Sequence, residues 1–127
     1  MTGFYSGLTA FYSSIAFLAA YENLTDERRE ILDRNIAYIK EWSIRSAHSW
    51  LHRRVLLEVE MKRVSEGANQ LEILDGYDHA IALASNSGFV HDAALINERC
   101  GSWLHVISKK RAVSYLQDAY RCYMSWV

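Results

Sequence analysis

His48 and His52 stand four residues apart, the spacing that lets two imidazoles on one helix face hold a transition metal. A metal site takes three or four ligands, and no nearby carboxylate or third histidine completes this pair. His79, His91 and His105 fall on separate segments. His91-Asp92 copies the histidine–acid dipeptide of a phosphoacceptor helix, but it stands where a repeat's helix begins, outside the context that gives the motif meaning. Glu58 and Glu60 are two apart and point to different sides of a helix, so they cannot face a common substrate as acid and base. Arg54, Glu58 and Lys62 instead form an i, i+4 charge ladder on a solvated face, worth roughly 0.2–0.5 kcal/mol per pair. His52-Arg53-Arg54 and Lys109-Lys110-Arg111 are short basic clusters, each with an acid near it, Glu58 and Asp118 respectively. They suit local contact with an anion or a partner. Cys100 and Cys122 form no CxxC pair and have no histidine at a nucleophile's spacing, and no GxSxG, GxxxxGKS or GxGxxG segment occurs. The sequence therefore assigns no catalytic, cofactor-binding or metal-binding residue, leaves the protein-binding residues unknown, and predicts a chain that is not itself an enzyme and needs no cofactor.

The composition narrows what kind of scaffold carries these residues. Half of the 127 residues are apolar, enough for one domain with a sizeable core. Fourteen basic residues nearly balance fifteen acidic ones, so no global field favours nucleic acid or anionic lipid. Proline is absent and glycine occurs six times, which argues against β-rich or disordered chains and for long, uninterrupted helices. The first 21 residues carry no charge, yet Thr2, Ser6, Thr9 and Ser13 recur at helical spacing beside an apolar stripe of Phe4, Leu8, Phe11, Ile15 and Leu18. A membrane span would be apolar all round and a secretion signal would open with basic residues, so this segment reads as a buried amphipathic helix. Two unpaired cysteines suit a reducing, cytoplasmic setting.

Five further helices follow from periodicity and stop signals. Thr25-Asp26-Glu27 caps a second helix through Leu32, Ile36 and Ile39, with Ile31, Tyr38 and Trp42 widening its apolar face. Ser46 or Ser49 caps a third through Leu51, Val55, Val59 and Met61, which stops near Ser65-Glu66-Gly67. The fourth carries Leu74, Tyr77, Ile81 and Ala84 and closes at Asn86-Ser87-Gly88; the fifth aligns Val90, Ala93, Ala94, Asn97, Cys100, Gly101 and Leu104. After Ser108-Lys109-Lys110, the last places Ala112, Tyr115, Leu116, Ala119, Cys122, Tyr123 and Trp126 on one stripe. Tyr77, Tyr115, Tyr123 and Trp126 thus read as core aromatics rather than stacking platforms for bases. Breaks this short make successive helices antiparallel, giving three helical hairpins over about 3–47, 49–87 and 89–127, with Ala80 and Ala119 at equivalent places. A hairpin buries only one face by itself, so the expected architecture is an all-α, right-handed solenoid of stacked hairpins whose surface grips partners.

The chain also resembles a known family. Gly76-Tyr77-Asp78-His79-Ala80-Ile81-Ala82-Leu83-Ala84, Gly88-Phe89-Val90-His91-Asp92-Ala93-Ala94-Leu95-Ile96-Asn97-Glu98 and the run from Ala112 to Trp126 resemble, in order and spacing, the tetratricopeptide-like helical region of large hybrid sensor histidine kinases of fungi and bacteria. Asn35 with Trp42, and Leu56-Leu57-Glu58-Val59-Glu60, are similar to the upstream part of that pattern. In such kinases the region follows a Ser/Thr-kinase-like segment and an ATPase module and precedes a GAF domain and the histidine kinase core. Two departures stand out: Ala47-His48 where the family often has a proline, and Trp126-Val127 where the family's last helix commonly continues into Trp-Gly-Ala. The resemblance implies a non-catalytic connecting module in a two-component phosphorelay, here a fragment of a longer chain, with no functional residue at the matched positions. Its expected partners are proteins, either other domains of the same kinase or a regulatory protein, rather than nucleic acid or membrane. A freestanding adaptor that binds a partner peptide is the alternative reading. If the chain is a fragment, the Phe4, Leu8 and Phe11 face or the Tyr123 and Trp126 face is expected to drive self-association.

Overall fold

The computed structural model describes the backbone of residues 3–65 and 67–126 and the side chains of 6–65 and 67–125. Among the described residues the chain is all α, with no strand: α1 (Gly3–Ala19), α2 (Asp26–Arg45), α3 (Ala47–Val64), α4 (Gln70–Asn86), α5 (Val90–Ile107) and α6 (Lys109–Trp126), with one 3-10 turn at Tyr21–Asn23. The punctuation follows the residue types. Thr25 sits in an extended conformation and its Oγ1 accepts the Arg28 N–H at 3.2 Å, satisfying one of the free donors of the α2 N-terminus. Gly88 takes a φ of +81°, the left-handed region that L side chains avoid, just past the end of α4, whereas α3 already leaves helical geometry at the extended Ser65, two residues before Gly67 with its φ of +71°. Ser46 alone separates α2 from α3, and Ser108 alone separates α5 from α6. Ser49, the other candidate cap of α3, lies inside that helix. Ser108 Oγ accepts the Arg111 N–H at 3.4 Å, while its own N–H bonds the Leu104 carbonyl.

The chain divides into two compact units, Met1–Asn69 and Gln70–Val127. In the first, α1, α2 and α3 all pack against one another. Its core holds Phe11, Ile15 and Leu18 from α1, Leu32, Ile36 and Ile39 from α2, and Trp50, Leu56, Leu57 and Val59 from α3. The buried face of α3 is rotated from the stripe its periodicity suggests: Leu51, Val55 and Met61 are only half-buried, while His52, Arg53 and Glu60 are inside. A helix flanked by two others buries a wide arc, wider than the apolar residues alone can fill. Gly7 marks a close approach, because a Cβ there would fall within the rings of Trp42 and Trp50.

In the second unit α5 packs against both α4 and α6. Ile73, Tyr77, Ala80 and Ala84 of α4 meet Ala93, Ala94, Ile96, Cys100 and Leu104 of α5, and α6 contributes Ala112 and Ala119. Ala80 and Ala119, assigned equivalent places from the sequence, are both buried. Leu74, Ile81 and Leu116 are less buried than the periodicity suggests, since the small residues let backbones approach and push larger neighbours to the edge. A Cβ on Gly101 would lie 2.6 Å from Leu116 Cδ2, which shows how closely α5 and α6 run.

Candidate functional site

In the first unit α3 carries most of the chemically suggestive residues. His48, in its first turn, is exposed, whereas His52, one turn on, is 1% exposed, so the two imidazoles do not share a solvent-facing site. Among the described residues no three of His, Cys, Asp and Glu gather as a metal ion would require. Arg53, read from sequence as part of a surface basic cluster, is instead 3% exposed. Its Nη1 donates to the Ser49 carbonyl at 2.9 Å and its guanidinium lies over the rings of Trp50 (4.7 Å) and Phe11 (5.7 Å). The charge is held by a carbonyl and two aromatic faces while its stem adds to the core. Only Arg54 of that cluster reaches the surface, where its Nε donates to Glu58 Oε1 at 2.8 Å and its Nη1 to Ser43 Oγ at 3.2 Å. This pair is the first rung of the expected ladder, and Lys62 is exposed. Glu60 is fully buried, 3.7 Å from Arg63 Nη1, so Glu58 and Glu60 do lie in different environments.

Grooves open on this unit among the described residues. One, of about 440 Å³, runs between α2 and α3 and is lined by Asp33, Ile36, Lys40, Glu58, Met61 and Lys62. Its charged residues are two acids and two bases. Another, of about 370 Å³, lies between α1 and α2 beside Ser6, Thr9, Ser13, Phe17, Ile31 and Asn35. Leu8 is half-buried, Phe11 is completely buried and Phe4 lies outside the described side chains.

In the second unit His79, His91 and His105 are all exposed, and Asp92, which follows His91, is 2% exposed. Tyr77 is in the core, its ring 5.9 Å from that of Trp103. Tyr115 and Tyr123, by contrast, lie at the edge of α6, and their hydroxyls donate to carboxylates of the neighbouring helices: Tyr115 to Asp78 Oδ1 and Tyr123 to Glu98 Oε2, each at 2.7 Å. Burial, and next the bond to Asp78, raise the Tyr115 phenol well above the usual tyrosine range. Cys100 is buried and Cys122 half-buried, both as free thiols. Trp126, the last member of the expected stripe, lies outside the described side chains.

The principal surface feature of this unit was not apparent from the stripe assigned to α6. Val113, Leu116, Tyr120 and Met124 are 49%, 37%, 65% and 53% exposed, and their i, i+3, i+7, i+11 spacing makes a second apolar stripe on the helix. Val113, Leu116, Gln117, Tyr120 and Arg121, all on α6, border an open, shallow surface region of about 490 Å³. Lys109, Lys110 and Arg111 are exposed in the first turn of α6, which contains no acidic residue.

No helix among the described residues is long and apolar enough to cross a membrane. Residues 8–121 match the family model of CHK1-like TPR repeats. The chain is also 30% identical, over 97 residues, to histidine protein kinase 1 of Candida albicans, an alignment that takes in 73% of this chain and 4% of that kinase's length. No solved structure matches.

Proposed function

From the premise that the chain belongs to the family of CHK1-like TPR repeats, and so is a non-catalytic helical module, we propose that it serves a sensor histidine kinase of a two-component phosphorelay by docking or positioning proteins. The observation that carries this reading is the family match along residues 8–121, which takes in all or part of all six helices. The likeness to a histidine protein kinase supports it. In this role the helices supply rigid faces rather than chemistry, and partners are other domains of the kinase or a regulatory protein on the cytoplasmic side. Residues 1–127 would act as one repeat domain of three hairpins, near 3–47, 49–87 and 89–127. A single unfolding transition, followed by tryptophan fluorescence and helical signal together, is the expected mark of one domain, and two separated transitions would break it.

Two assays test the functional reading. The native product that contains this segment should incorporate acid-labile phosphate from ATP, as a histidine kinase does, while the isolated chain should neither bind nor hydrolyse ATP. A native product that incorporates no such phosphate would overturn the kinase setting. ATP turnover by the isolated chain would overturn the module.

A further inference from the structure

We propose that the exposed apolar face of α6 is a docking surface for an acidic amphipathic helix of a partner protein, a proposal that deepens the interaction reading above by naming the surface and the chemistry of its occupant. The stripe of Val113, Leu116, Tyr120 and Met124 stays exposed although the adjacent side of α6 is already packed through Ala112 and Ala119, with Leu116 at the border against Gly101. Apolar residues repeating at i, i+3 and i+7 on a helix, along an open and shallow surface, offer a ridge against which a second helix can lay its own apolar face.

Charge selects the occupant. The exposed ionic groups of α6 are Lys109, Lys110, Arg111 and Arg121 against the single acid Asp118. Asp118 is held by Arg121 at 3.1 Å, and no ion pair among the described residues engages Lys109, Lys110 or Arg111. On the far rim, Glu98 of α5 accepts the Tyr123 hydroxyl. The three cations at the start of α6 also lie at the positive end of its dipole, an arrangement that repels itself and that carboxylates of a partner would relieve. A helix bearing an apolar stripe flanked by Asp and Glu satisfies both halves of this face, whereas a basic helix satisfies only one.

The test uses the full chain and a fluorescent synthetic helix with leucine on one face and glutamate on the others, and a leucine–lysine helix of the same pattern as control. Anisotropy should report binding of the acidic helix that weakens as salt rises, and little binding of the basic one. Val113→Ser with Tyr120→Ser changes two exposed side chains and should weaken binding by about tenfold or more. Reversal of Lys109, Lys110 and Arg111 to glutamate should weaken it similarly while leaving thermal stability equal or higher, because acids suit a helix N-terminus. Equal binding of the two peptides, binding that ignores salt, or full binding by both variants would overturn the proposal. So would a dimer in sedimentation that Val113→Ser with Tyr120→Ser dissolves, since the face would then belong to a second copy. These measurements use the chain alone, so their failure leaves the kinase reading standing, and a native product without histidine phosphorylation leaves the docking surface standing.

Discussion

Replacing Gly7 by alanine tests the packing of the first unit at its tightest point. The new Cβ would fall within the rings of both Trp42 and Trp50. Those rings are packed on each other at 5.1 Å between centroids, and Trp50 is 5% exposed beneath the Arg53 guanidinium. Trp50 is enclosed and the half-buried Trp42 is stacked between Trp50 and Tyr38, so relief requires displacing this ring cluster or shifting α1. Overpacking of this kind costs about 1–3 kcal/mol, and alanine recovers about 1 kcal/mol of helix propensity relative to glycine. With two rigid rings in the way, the upper half of that range applies, leaving a net loss of about 1–2 kcal/mol. In a 127-residue chain that unfolds in one transition, that loss lowers the melting temperature by roughly 3–10 °C. Urea denaturation followed by far-ultraviolet circular dichroism and tryptophan fluorescence measures it. Gly101→Ala is the internal control: its Cβ meets Leu116, whose side chain is 37% exposed and can swing outward, so the change should stay within about 1 kcal/mol of zero. Adding Trp42→Leu to Gly7→Ala should shrink the cost of the alanine, because the two sites share the contact. A Gly7→Ala protein as stable as the native chain would refute the reasoning.

Other consequences are simpler. Thr25→Ala removes the oxygen that caps α2 and should cost about 1 kcal/mol in the same denaturation assay. For Tyr115 the fold holds the neutral phenol, raised by burial and by Asp78. The stability this provides is whole below the ordinary phenol pKa of about 10 and is lost as pH rises above it. The stability gap between native and Tyr115→Phe proteins should therefore be flat below pH ~10 and close above it; a gap that widens in alkali would contradict this. Cys122, half-buried, should react with a thiol reagent in the folded chain, and Cys100, with no exposed surface, only as the protein unfolds.

Local signals in the sequence were sufficient for the framework and insufficient for the faces. Thr25 acts through its own side-chain oxygen and Gly88 through its own backbone geometry, so the helix ends they mark are visible from residue type alone. The apolar face of α5 was legible because small residues cluster on it, and all but Val90 of that set are buried. On α6 periodicity presents two apolar stripes, and the choice between them depends on the partner helix. Ala112 and Ala119 went inward because α5 runs close at Gly101, which left Val113, Tyr120 and Met124 outside. The spacing of 113, 116, 120 and 124 was the available signal for this surface. On α3 a charge-rich run concealed three core residues, since His52, Arg53 and Glu60 read as solvated until two neighbouring helices are seen to enclose them. The resemblance supplied the family, which periodicity by itself could not distinguish from other helical repeats.

The most direct measurement is the size of the native product, read on an immunoblot of the source organism with an antibody against this chain. A band far above the chain's own 14.7 kDa is expected, as for a multidomain histidine kinase that contains this module. A band near that mass would contradict it and make the chain a freestanding adaptor.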